Sequence, residues 1–141
     1  MIDWVLVTKL IYDGVLVGAC GYAICLGGTD ERVGAAIAIA ATGASALVLP
    51  ISDMFGVFGR YGFALVNLAT LIAFDALMVR SRSFWPVWAT GIQLAAVALD
   101  AAMVLMPVAA KAYLMVQGKF AYPILLSLVL GSERSRRLRG A

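Results

Sequence analysis

Histidine is absent from this chain. That removes the commonest side-chain ligand of haem iron, zinc and copper, and the commonest proton shuttle near neutral pH. It also excludes Ser-His-Asp and Cys-His catalysis. Charge is scarce: Asp, Glu, Lys and Arg make up only 13% of 141 residues. A soluble domain of this size needs more than that to cover its surface. Cysteine is limited to Cys20 and Cys25. Five positions apart on a helix, they point in different directions, so no local disulfide or CxxC chemistry is available. Both are expected to be small packing residues. There is no GxxxxGK[ST] loop, because Gly27-Gly28 leads into Thr29-Asp30 without a lysine. No carboxylates cluster at the end of an apolar run to hold magnesium. No cofactor and no metal are expected. Enzymatic activity is not expected either, unless as a membrane enzyme working with a lone acid.

What the chain does have is apolar sequence. Hydrophobic residues make up 63% of it, and the mean hydropathy is +0.96. This composition predicts an all-α polytopic transmembrane bundle. The length allows about five spans of roughly 20 residues each, and no separate soluble domain. The pI near 9.1 does not mark a nucleic-acid partner. The basic residues sit at the ends of apolar runs and in the tail, where membrane topology places them. No basic region precedes the first apolar run, so that run is expected to remain as a membrane helix.

The first span is expected from Trp4 to Leu26. It carries Lys9 and Asp13 on one face and a GxxxG at Gly14 and Gly18, followed by Gly21. Such a face packs closely against another helix, either within the chain or between chains. Gly27 and Gly28 can end this helix, and Asp30 is placed to cap the next. The second span, Val33 to Leu49, is thin and alanine-rich, and is expected inside the bundle with Pro50 ending it. Ile51 to Tyr61 is expected as a glycine-broken interfacial loop, with a shallow re-entrant loop as the alternative. The third span runs from Gly62 to Val79 and holds Asn67, a candidate interhelical hydrogen-bond donor, and Asp75, a candidate partner of Arg80 or Arg82. The fourth, Phe84 to Met106, has Trp85 and Trp88 at its start and Asp100 deep within it. After a short turn near Pro107 to Ala110, the fifth is expected from Ala110 to Leu130, bent at Pro123. The transmembrane domain thus covers 1–131, and 132–141 forms a frayed basic tail.

Alternate crossings put Arg32, Arg80, Arg82 and the tail arginines on one side. The positive-inside rule makes that side cytoplasmic. The amino terminus then faces the periplasm and the carboxyl terminus the cytoplasm. Trp4 sits at one interface and Trp85 and Trp88 at the other. If the last segment is re-entrant or interfacial, the count falls to four and the tail changes side.

Ionisable groups at membrane depth are costly and face the bundle interior. A tight turn near Ala109 would set Asp100 opposite Lys119. Asp13 would lie at a similar level, roughly 14 Å in from Trp4. Gln93, seven residues before Asp100, shares its face. Asp13, Gln93, Asp100 and Lys119, with Lys9 and Tyr122 nearby, are therefore one candidate polar cluster. It is either a set of ion pairs, Asp100 with Lys119 and Asp13 with Lys9, or a proton or solute site, or a contact with a partner subunit.

The run SRSFWPVWATGIQL, followed by KAYLMVQGKFAYPILLSLVLGS and a basic tail, resembles a group of small uncharacterised bacterial inner-membrane proteins. The resemblance covers Arg82 to Ser132. It is a pattern of aromatics and prolines rather than a catalytic signature, and it implies location only. The expected function is a structural or accessory subunit of a membrane assembly, as a homo-oligomer or within a larger complex. The alternative is a small proton- or solute-coupled transporter built on Asp100, Lys119 and Asp13. The expected partners are the lipid bilayer and other membrane subunits.

Overall fold

Alanines pack inside this bundle beside a few large side chains, and many large apolar residues face outward. Ala23, Ala35 and Ala89 are fully buried, whereas Leu105, Val79 and Leu47 are 73% exposed or more. Lipid is as apolar as leucine, so burying leucine between membrane helices gains little, while small residues let backbones approach. The pattern is that of a membrane protein.

A computed structural model describes residues 3–55, 57–106 and 118–140. Among these the chain is helical and contains no strand. The helices are α1 (Trp4–Leu26), α2 (Thr29–Phe55), α3 (Val57–Arg80), α4 (Trp85–Leu105) and α5 (Ala121–Gly140), with a short 3-10 turn at Gly118–Phe120 before α5. Each of the first four contains a stretch long and apolar enough to cross a bilayer. Each helix from α1 to α4 packs on the next, and α5 closes the ring by packing on α4 and α1.

α1 and α4 match the expected spans to within a residue. Three other expectations are corrected. α2 does not stop at Pro50 but stays helical to Phe55, and α3 is already helical from Val57. The expected loop from Ile51 to Tyr61 is therefore helical on both sides of Gly56, which lies outside the described residues. In lipid a helix that loses one hydrogen bond at a proline still satisfies more of its backbone than an open loop does. α2 is also not the inner helix, since Ile39, Gly43 and Leu47 face outward. The well-covered stretch is the start of α5, where Ile124, Leu125, Ser127, Leu128, Gly131 and Ser132 are buried.

α5 differs most from expectation. It starts at Ala121, so Pro123 falls in the first turn, where its missing N–H costs nothing and bends no helix middle. The turn expected near Pro107 to Ala110 lies outside the described residues, as do Lys111 and Gln117. The tail is not frayed, because α5 runs unbroken from Ala121 to Gly140. Glu133 pairs with Arg137 at 2.9 Å and Arg136 at 3.6 Å, one turn on. Arginines in the last turn also suit the helix dipole.

Trp85 is likewise corrected. It is not an interfacial anchor but is 4% exposed in the core. Its ring occupies a slot left by two glycines, Gly34 of α2 and Gly131 of α5, and a Cβ at either would land on the ring. Phe74 of α3 meets it edge-on, with ring centroids 6.4 Å apart. One indole thus joins four helices. Trp4 and Trp88 do face outward, as membrane-interface residues would. Cys20 is buried as expected, but Cys25 is exposed.

Candidate functional site

The buried polar groups form two separate sets. The first lies between α3 and α4. Gln93 and Asp100 are both buried on the inner face of α4. Asn67 of α3 stands between them. Its Nδ2 donates to Asp100 Oδ2 at 2.7 Å. Gln93 Nε2 donates to the Asn67 side-chain oxygen at 3.2 Å and to its backbone oxygen at 3.1 Å. The seven-residue spacing that puts Gln93 and Asp100 on one face lets a single asparagine contact both. Asp100 also borders a cleft of about 410 Å3 lined by Leu65, Leu68, Val97 and Val104 among others.

Two of the four expected members are therefore together, and two are elsewhere. Asp13 is half-buried on α1, which packs on α2 and α5. Lys119 is exposed in the 3-10 turn. Among the described residues the ion pairs are those of Glu133, so neither Asp100 with Lys119 nor Asp13 with Lys9 forms one. The tight hairpin assumed in aligning Asp100 with Lys119 falls on residues 107–117, which lie outside the described residues. Beside Asp13, Tyr12 shares a hydrogen bond with Thr42 of α2 at 3.1 Å and meets Tyr122 of α5 edge-on at 5.7 Å. Asp75 is exposed on α3.

The second set lies at the basic end of the bundle, where the turn at Gly27-Gly28, the turn at Ser81 to Phe84 and the last half of α5 meet. Glu31 is its centre and is 1% exposed. Its Oε2 accepts the Gly28 N–H at 2.8 Å, and its Oε1 accepts the Ser135 hydroxyl at 2.8 Å. Gly28 is the residue before α2 and Glu31 the third residue within it, so this is the acidic half of a capping box. Asp30, expected as the cap, instead accepts the Ser81 hydroxyl. Tyr22 donates to Glu133, and Arg139 donates to the Leu26 carbonyl. Glu133 is held below the usual carboxylate range, first by the Tyr22 hydroxyl and then by Arg137.

The sequence reading missed Glu31, although Gly28 followed three residues later by Glu carries the capping spacing. It also missed Tyr22 and Ser135, which lie 111 and 104 residues from their partners. No local pattern signals contacts at that separation. Gly14 and Gly18 face outward, with nothing among the described residues within 4 Å of a Cβ placed on either. The within-chain use of the GxxxG is thus not made among the described residues. Comparison with protein-family models, with curated proteins and with solved structures finds no match.

Proposed function

We propose that this chain is a structural or accessory subunit of a membrane assembly, docking a second transmembrane helix on the Gly14–Gly18 face of α1. One observation carries the reading: the face built for close helix contact meets no helix among the described residues. Outward-facing Leu10, Ile11, Val15 and Val17 flank it, and would clasp a helix seated on the glycines. The buried polar groups fit the same reading. Asn67, Gln93 and Asp100 bond to one another across α3 and α4 and fix the register of those two helices.

The test is mild detergent extraction from native membranes, followed by sizing and identification of co-purifying proteins. Gly14→Leu with Gly18→Leu should leave the thermal melting of the isolated chain unchanged and release the co-purifying subunit or the second copy. An unchanged assembly in that variant would sink the proposal.

A second reading has its own support. Asp100 is a buried carboxylate beside a cleft in a membrane helix, and such groups are costly to keep without a use. A proton- or solute-coupled carrier would use Asp100 with Asn67 and Gln93. Acid-dependent flux in reconstituted vesicles, abolished by Asp100→Asn, would favour it.

For location we propose the bacterial inner membrane, with the basic end in the cytoplasm and the amino terminus in the periplasm. Arg32, Arg82, Arg134 and Arg139 at one end of the bundle support this. A periplasm-only reporter fused to the carboxyl end should be inactive, and activity there would invert the orientation.

A further inference from the structure

A groove of about 570 Å3 runs between α4 and α5 from the basic end into the apolar part of the bundle. Its inner length is lined by Trp88 and Ile92 of α4 and by Leu126 and Leu130 of α5. Arg82 and Arg134 flank its outer end. Both arginines are exposed, and neither makes an ion pair among the described residues. Glu133, the acidic side chain next to Arg134 in sequence, is already taken up by Arg136, Arg137 and Tyr22. The groove therefore has an apolar length that suits a hydrocarbon chain and, at its outer end, two arginines in no ion pair among the described residues. In a bilayer that end lies at headgroup depth, where a forked guanidinium matches phosphate oxygens.

We propose that this groove holds one anionic phospholipid from the leaflet at the basic end. Its acyl chain lies between Trp88 and Ile92 on one side and Leu126 and Leu130 on the other. Its phosphate lies between Arg82 and Arg134. The inference does not depend on which side of the membrane the basic end faces, nor on the subunit reading, because the groove lies between α4 and α5 and the glycine face is on α1.

The test is native mass spectrometry of the full chain in detergent, titrated with dioleoyl phosphatidylglycerol or dioleoyl phosphatidylcholine. One arginine near a lipid surface contributes about fivefold to anionic-lipid affinity, so two give roughly 25-fold. Phosphatidylglycerol should bind more tightly than phosphatidylcholine by that factor. Arg82→Gln with Arg134→Gln should remove the preference, and Arg136→Gln with Arg139→Gln, the same loss of two charges outside the groove, should keep it. An equal loss in the Arg136, Arg139 control would show a diffuse basic surface and overturn the site, as would a preference surviving in the Arg82, Arg134 variant. On the unaltered protein, a phosphatidylglycerol with a photoreactive acyl chain should label α4 and α5 between those four apolar residues. Labelling spread over α1 to α3, or a second copy found seated on α4 and α5 in place of lipid, would equally overturn it.

Discussion

The indole of Trp85 on α4 packs against Gly131 on α5, so close that a Cβ at Gly131 would strike the ring at Cγ and Cδ1. The two residues are 46 positions apart, and their contact fixes the seam between helices α4 and α5. Gly131→Leu should therefore lower stability by about 1–3 kcal/mol through overpacking. Trp85→Ala should cost about 3 kcal/mol or more by opening a cavity among four helices. Trp88→Ala, with its ring facing outward, should cost much less. Thermal melting in detergent checks all three.

The Asn67–Asp100 hydrogen bond predicts a coupled pair. Interhelical side-chain bonds in membranes contribute about 0.6 kcal/mol on average and up to about 1.7. Asn67→Leu should destabilise by about that upper figure, because it also removes the side-chain acceptor of Gln93 and leaves it only the backbone oxygen of residue 67. Asn67→Leu combined with Asp100→Leu should cost less than the sum of the two single changes. Lys119→Met, exposed and away from Asp100, should be silent to within about 0.5 kcal/mol. Steric-trap or denaturant unfolding in bicelles measures each value.

Glu31→Ala should remove the acceptor of both the Gly28 N–H and the Ser135 hydroxyl, costing about 1–2 kcal/mol. Hydrogen exchange should then rise first at residues 28–32 and near Ser135. Uniform exchange across the bundle would contradict a local role.

Glu133 predicts a pH dependence at the basic end. Its folded-state pKa lies below the ordinary value, so its contribution is present above the ordinary glutamate pKa of about 4.3 and is lost as pH falls through the folded value. Tyr22→Phe removes the leading cause of that depression. The variant should melt lower than the parent near neutral pH, and the difference should narrow in acid. A difference that widens in acid would have the wrong sign.

α1 and α4 were readable because their apolar runs are bounded by turn residues on both sides. Asn67 was readable as an interhelical donor, and Gln93 with Asp100 as one face, because helical spacing is a local property. The partner joining them was not, since nothing local says that α3 rather than α1 or α5 faces that side. Pro50 and Pro123 misled for one reason: a proline signals a break or bend by default, and its effect depends on its position in the helix and on the medium. The tail misled because a run of arginines reads as solvated chain, whereas Ser132 is fully buried and Ser135 reaches Glu31.

Sequence by itself determined that most of this protein is apolar enough for lipid to surround it, that four of its segments are apolar helices of membrane-crossing length, and that positive charge gathers at one end. Those properties follow from composition and from periods of a few residues. Tertiary structure alone decided which glycines hold an indole and which stay open, that Asp100 meets Asn67 rather than Lys119, and that two arginines flank a groove. Each depends on which faces of distant helices meet, and in a membrane that is set by close fit between particular side chains rather than by apolarity, which every helix shares.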